Sequence, residues 1–167
     1  IMGAYYAGNN GEDNEVCKGI VEHYRPRFTG DEFPVSYTGK TVSIADKLDA
    51  IVGAFGIGIQ PTGSQDPYAL RRQALGVVGM LMQEEKDLSL TVLIKDSYQI
   101  FADQNIVLEP LENIMKTLDD FFSQRIRYLL QENGLRYDVA DAVLAQGADK
   151  PYRILAQGKA LAISREE

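Results

Sequence analysis

The chain has 167 residues, of which 45% are hydrophobic and 25% are charged, a composition that predicts one or two folded domains and excludes a disordered protein. Its formal net charge of −7 argues against a protein that holds nucleic acid over its whole surface, although a few basic side chains can still contact phosphates locally. No apolar stretch approaches the ~20 residues that cross a bilayer, and the single cysteine, Cys17, cannot form an internal disulfide, so we predict a cytoplasmic protein without a membrane partner.

The first part of the chain is typical of helices separated by loops. Residues 1–7 resemble the end of a helix already under way, so we expect the chain to be a piece of a longer polypeptide. Apolar residues at helical spacing predict a helix over 12–24, and Pro26 ends it. The prolines and glycine of residues 25–36 predict a loop. A second helix is predicted over 39–54, ended by the glycines that follow it.

The second part of the chain contains five more predicted helices. Asp66 followed by Pro67 predicts a helix start, because the carboxylate can cap free amides and proline is tolerated at the first helical position. The buried stripe of this helix is predicted to be Leu70, Ala74, Val77 or Val78, and Leu81. The others are a helix over 91–103, a long one from Pro110 to Gly134, a short one that Asp138 caps and that ends near Gln146, and a last one from Pro151.

Residues that start and end helices recur along the whole sequence, and patterns typical of strands are rare. The predicted fold class is therefore all-α. A short link without helical patterning, residues 105–110, precedes the long helix. We place a domain boundary there, which gives predicted domains over 1–104 and 105–167.

The most distinctive stretch of the sequence is 44–76, which contains the segments ADKLD, FGIG and PTGSQDPYALRR in that order. With these residues at this spacing, the stretch closely resembles the β subunit of the bacterial heterotetrameric glycyl-tRNA synthetases. The resemblance extends over essentially the whole chain. It implies an HD-like helical domain, truncated at its N-terminus, over 1–104 and a helical segment over 105–167 that leads into the anticodon-binding domain.

The resemblance also implies a function and partners. In that family the α subunit of an α2β2 assembly activates glycine with ATP and Mg²⁺, and the β subunit handles tRNA(Gly). We therefore expect this segment to bind and position tRNA within a glycine–tRNA ligase, with no catalytic residue and no cofactor of its own. A purely structural interaction module that touches no RNA is one alternative.

HD-type domains are named for a histidine–aspartate metal site that hydrolyses phosphate esters. Within the resemblance, His23 and Asp46 are the candidate remnants of such a site. The chain has no His-Asp dipeptide, and one histidine with one aspartate gives too few ligands for a divalent ion. We predict a degenerate site without a metal. A metal-dependent phosphohydrolase of the HD type is the other alternative.

Two further patterns in this stretch favour structural roles. Asp46 and Asp49 share a helix face and could act as an acid–base pair, but capping or ion pairing is the simpler interpretation. The glycines at 53, 56, 58 and 63 follow no strand, and no Lys-Ser or Lys-Thr pair comes after the last of them. They predict a close helix crossing and a turn, and no nucleotide-binding loop.

Arg71 and Arg72 are the first candidates for a tRNA contact. They follow the predicted capped helix start, whose free amides favour anions, and a guanidinium group binds phosphate in a bidentate manner. In one interpretation, one arginine contacts the tRNA backbone or a partner helix and the other pairs with Asp46 or Asp49. In the other, both form ion pairs within the chain.

Arg125 and Arg127 are further candidates for tRNA binding, because with Arg136, Tyr128 and Tyr137 they form a second basic and aromatic neighbourhood. Aromatic rings that stack on splayed bases, with arginine nearby, are typical of proteins that bind single-stranded RNA loops. Packing of Tyr128 at the edge of the core is the alternative.

Overall fold

In the computed structural model the fold is all-α, as predicted, and the structure describes residues 2–28 and 30–164. The one β-type pairing in this described part is an isolated bridge between Thr62 and Gln65. The helices are, in chain order, α1 Met2–Asn9, α2 Asn14–Glu22, α3 Tyr37–Gly56, α4 Leu70–Gln83, α5 Leu90–Asp103, α6 Leu111–Glu132, α7 Tyr137–Leu144 and α8 Pro151–Ile163. None of them is both long enough and apolar enough to cross a bilayer.

The start of α4 differs from the prediction. The helix begins at Leu70, not at Pro67, because Ala69 adopts a left-handed conformation with φ of +53° that breaks the helical path. Asp66 caps the helix as predicted, although the helix that it caps starts three residues later than predicted. Its carboxylate accepts hydrogen bonds from the backbone amides of Leu70 at 2.7 Å and Arg71 at 3.0 Å.

The start of α7 was also predicted wrongly. Arg136 is the residue that precedes the helix, and Asp138 lies in its first turn, where it pairs with the Arg136 guanidinium at 3.2 Å. A carboxylate in the first turn still favours the helix through its dipole. The predictions for α5, α6 and α8 agree with the structure within one or two residues at the helix ends.

The core is built around α4, which packs against α3, α6 and α8. The predicted α4 stripe is confirmed, since all its members are buried. The long apolar face of α6 covers α4 with six buried side chains, Ile114, Leu118, Phe121, Phe122, Ile126 and Leu130. One hydrophobic cluster therefore contains residues from both sides of the link at 105–110, and the division at 104/105 stays a prediction.

Gly53 of α3 permits the close helix crossing that the sequence predicted, and Gly56 permits close packing against the link at residues 105–110. A Cβ atom added at Gly53 would lie 2.9 Å from Cζ of Phe101 on α5. One added at Gly56 would lie 2.7 Å from Cδ2 of Leu108. A Cβ atom at either position would force the facing side chain to shift, so these glycines serve packing.

Candidate nucleic-acid interface

Arg72 lies between two adjoining surface depressions, and Pro26 also lines both of them. We call the two depressions together the Arg72 cleft. The aromatic depression, about 260 Å³, is lined by Pro26, Phe28, Gly30, Asp31, Phe33, Arg72, Leu75, Gly76, Tyr128, Leu129 and Glu132. The basic depression, about 350 Å³, is lined by Tyr24, Pro26, Arg27, Asp46, Lys47, Arg72 and Gln73. The fold thus brings Arg72 and Tyr128, which the sequence analysis treated as separate candidates, into one cleft.

The position of Arg72 follows from the way α4 begins. Asp66 caps the helix, and Leu70 and Ala74 turn its apolar face into the core. Arg72 lies on the opposite face and is exposed. Its place beside the cleft is therefore fixed by the burial of its neighbours along the helix.

The loop that forms the other wall of the cleft is anchored by Lys47 on α3. Only 5% of this residue is exposed. Its ammonium group donates to the backbone carbonyl of His23 at 3.1 Å, to that of Arg25 at 3.0 Å and to the hydroxyl oxygen of Ser43 at 2.7 Å. Burial lowers the pKa of Lys47, and nearby Asp46 partly opposes the shift. All three N–H groups of the amine thus donate to neutral oxygens. No carboxylate in the described part of the chain is hydrogen-bonded to this ammonium group.

Sequence reasoning missed Lys47, although a signal was present. Ser43, Lys47, Ile51 and Phe55 recur at intervals of four residues, which places them on one buried stripe of α3. A lysine between two aspartates is usually taken as part of a solvated face, and that interpretation is wrong here. Its amine instead caps carbonyl groups that follow the end of α2.

Two more interactions stiffen the same loop. Arg27 donates from Nε to Asp31 at 2.9 Å and from Nη2 at 3.2 Å, and its backbone amide donates to the same carboxylate at 2.8 Å. These hydrogen bonds hold the pKa of Asp31 far below its usual range. At the end of the loop, the carboxylate of Glu22 accepts from both the amide and the hydroxyl of Ser36, the residue that caps α3.

Arg71 and Arg72 differ from the other arginines that the structure describes. Arg25, Arg27, Arg127, Arg136 and Arg153 each form an ion pair, and Arg125 bonds a carbonyl. Within residues 2–28 and 30–164, the guanidinium groups of Arg71 and Arg72 have neither an ion pair nor a hydrogen bond. The predicted alternative, in which one of them pairs with Asp46 or Asp49, is not observed.

Arg125 and Arg127 lie in different surroundings. Arg125 is 9% exposed, stacks on the ring of Phe121 at 3.9 Å and donates to the carbonyl of Phe121 at 2.8 Å. Burial lowers its pKa, and the neighbouring charge of Arg71 lowers it further. Arg127 is half exposed and pairs with Asp141 at 3.0 Å. An RNA contact by either arginine stays a prediction, and the geometry of Arg125 gives it a packing role within the protein.

His23 and Asp46, the predicted degenerate HD-like site, are brought to adjoining elements without a bond between their side chains. Nδ1 of His23 donates to the carbonyl of Ile20 at 2.9 Å, and its carbonyl accepts from Lys47, the neighbour of Asp46. No group of three or more His, Cys, Asp or Glu side chains that could hold a metal occurs in the part of the chain that the structure describes.

A larger cavity of about 640 Å³ lies on another side of α3, between α3, α4 and α5. Its walls are mainly apolar, and an ion pair between Lys40 and Glu84 at 2.6 Å spans its rim. Its four carboxylates outnumber its two cations, Lys40 and Lys86; the carboxylates are those of Asp46, Asp49, Glu84 and Asp96. It is therefore a poor place for an anion, and the Arg72 cleft remains the candidate site.

Comparison with known proteins gives a consistent result. The family model described as glycyl-tRNA synthetase beta subunit matches residues 1–145. The chain is 62% identical over 166 residues to a glycine–tRNA ligase beta subunit of Desulfitobacterium hafniense, and 48% identical over 168 residues to that of Moorella thermoacetica. These matches cover 99% and 100% of the chain but only 24% of each relative's length. The chain belongs to the glycyl-tRNA synthetase β subunit family.

Proposed function

We propose that this chain is a part of a glycine–tRNA ligase β subunit and that it contributes to tRNA binding through the Arg72 cleft. One observation carries the proposal. Arg71 and Arg72 on α4 have unbonded guanidinium groups, and Arg72 lies at the cleft. The other arginines that the structure describes each form an ion pair or a hydrogen bond. A guanidinium group without an internal partner can form a bidentate pair with a phosphate, and no existing bond has to be broken first.

The remaining parts of the proposal rest on the family. The partners are tRNA(Gly) and a separate α subunit, in an α2β2 assembly located in the cytoplasm. Glycine activation with ATP and Mg²⁺ takes place on the α subunit. This segment contributes binding and positioning of tRNA, with no catalytic residue and no cofactor of its own.

The first experiment measures the affinity of the complete α and β enzyme for tRNA(Gly) at several salt concentrations. Arg72→Gln is compared with the parent protein and with Arg153→Gln, a matched change at an exposed arginine that pairs with Asp87 outside the cleft. We expect Arg72→Gln to weaken binding and to reduce the slope of log K against log salt by about 1, since one phosphate contact is lost. Arg153→Gln should change neither.

The second experiment measures aminoacylation by the same enzymes. We expect Arg72→Gln to raise the KM for tRNA while glycine-dependent ATP–pyrophosphate exchange stays unchanged, because adenylate formation is assigned to the α subunit. An unchanged affinity, salt slope and KM would support the purely structural alternative. Stoichiometric bound metal together with phosphate ester cleavage would support the phosphohydrolase alternative, which no observation in the described residues favours.

A further inference from the structure

The two halves of the Arg72 cleft differ in chemical character. The basic depression has three cationic side chains, Arg27, Lys47 and Arg72, and one carboxylate, Asp46. The aromatic depression is walled by rings and aliphatic side chains, with its carboxylates on Asp31 and Glu132. An anionic group and a flat apolar group would therefore be accommodated side by side, with Arg72 between them.

The aromatic rings at this cleft are accessible. Phe28 is 56% exposed and Tyr128 is 41% exposed, and both line the aromatic depression. Exposed rings beside a groove are available for stacking, and every nucleobase has a π face that can stack on such a ring. Tyr128 is partly exposed at the rim of the depression, so its predicted packing at the core edge and a stacking role are compatible.

The available charge is concentrated on Arg72. The charge of Arg27 is matched by the carboxylate of Asp31 in a paired geometry, and Lys47 has all three donors bonded to neutral oxygens. Lys47 thus adds positive potential at the wall of the basic depression but no free donor. Arg72 has both charge and free donors, so a phosphate in this depression would bind to its guanidinium group.

We propose, building on the proposed tRNA binding, that the Arg72 cleft takes one unpaired nucleotide of RNA. Its base lies in the aromatic depression against Tyr128 and Phe28, and its phosphate lies in the basic depression on Arg72. A duplex offers its phosphates on the outside but keeps its bases stacked within the helix, so it cannot fill the aromatic depression. The cleft therefore selects single-stranded or splayed segments over paired ones.

The test uses the 167-residue chain, in which helices α3 to α8 all contribute side chains to one hydrophobic cluster. Fluorescence anisotropy measures its affinity for a short unstructured RNA strand and for the duplex of that strand with its complement, at several salt concentrations. The variants are Arg72→Gln and Tyr128→Ala. Their controls are Arg136→Gln and Tyr137→Ala, an exposed arginine–tyrosine pair at the start of α7 that does not line the cleft. Circular dichroism and thermal unfolding confirm that each variant is folded.

We expect the single strand to bind more tightly than the duplex. Tyr128→Ala should weaken single-strand binding by at least about fivefold, because stacking on one base is lost. Arg72→Gln should also weaken it and should reduce the salt slope by about 0.7, the value for one phosphate of a single strand. Neither control variant should alter binding.

Three results would overturn the inference. Equal affinity for the duplex and the single strand would show that no base enters the cleft. Weakening by the α7 variants, with no effect of the cleft variants, would place the site elsewhere, and no binding of either RNA would remove the cleft as a nucleotide site. The first two results would leave tRNA binding by the complete enzyme intact, since its affinity and salt slope are measured separately.

Discussion

Replacement of Lys47 by methionine tests whether its buried amine holds the wall of the cleft. The methionine side chain fills most of the same space but donates no hydrogen bonds. The carbonyl of Arg25 would keep the hydroxyl of Ser43 as a donor at 2.6 Å, whereas that of His23 would lose the amine. An unsatisfied part-buried carbonyl costs about 1–3 kcal/mol. The substitution also removes the desolvated charge of the ammonium group, which offsets part of the cost of the lost hydrogen bonds. We therefore expect the free energy of unfolding to fall by about 2 kcal/mol.

The pH dependence of this effect has a defined sign. Burial lowers the pKa of Lys47 from its ordinary value of 10.5 in the folded state. Between the lowered value and 10.5 the unfolded chain binds more protons than the folded one, so the parent protein gains stability as pH rises through this window. Methionine has no proton to lose. The difference in unfolding free energy between the parent and Lys47→Met should therefore widen as pH approaches 10.5.

Denaturant unfolding at a series of pH values measures both quantities. The matched control is Lys95→Met on the exposed side of α5, which should change stability by no more than about 0.5 kcal/mol at any pH. Equal stability of Lys47→Met and the parent, or a gap that narrows toward high pH, would refute the reasoning about the buried amine.

Three other substitutions have expected outcomes. Asp66→Ala removes the acceptor of two α4 amides and should lower the unfolding free energy by about 0.5–2 kcal/mol in denaturant unfolding. Asp149 accepts from the Ser89 hydroxyl and the Thr91 amide at 2.8 Å each; burial alone would raise its pKa, but these bonds lower it. The stabilisation from Asp149 should therefore be lost as pH falls below 3.8, and Asp149→Ala should abolish that part of the acid sensitivity. Arg125→Met should leave RNA affinity unchanged in anisotropy, since the guanidinium group is packed on Phe121; a loss of affinity in a folded variant would instead establish an RNA contact.

The helices could be predicted because their signals are local. The stripe from Leu70 to Leu81 depends only on spacing within one helix, and it is buried as predicted. The start of α4 could not be predicted in the same way. The left-handed conformation of Ala69 is imposed by the preceding turn and by capping from Asp66, and alanine carries no sequence signal for it.

The candidate site was only partly predictable. Arg72 was identified because charge at the start of a helix is visible in the sequence. Its proximity to Tyr128 and Phe28 was not, since these residues lie on different elements that only the packing of α4 against α6 and the anchored loop brings together. The role of Lys47 was missed because the loop carbonyls that it binds become its neighbours only after folding.

The pattern of ion pairs is compatible with the proposed RNA site on an acidic chain. The net charge of −7 repels a polyanion at long range, and most described arginines are neutralised by a carboxylate within the chain. The unbonded Arg72 is an exception that lies in a concave and partly aromatic setting, where stacking can add to one phosphate contact. One such contact gives weak affinity by itself. The contribution that we propose for the cleft is selection of an unpaired nucleotide at a defined place, which a surface of paired arginines cannot provide.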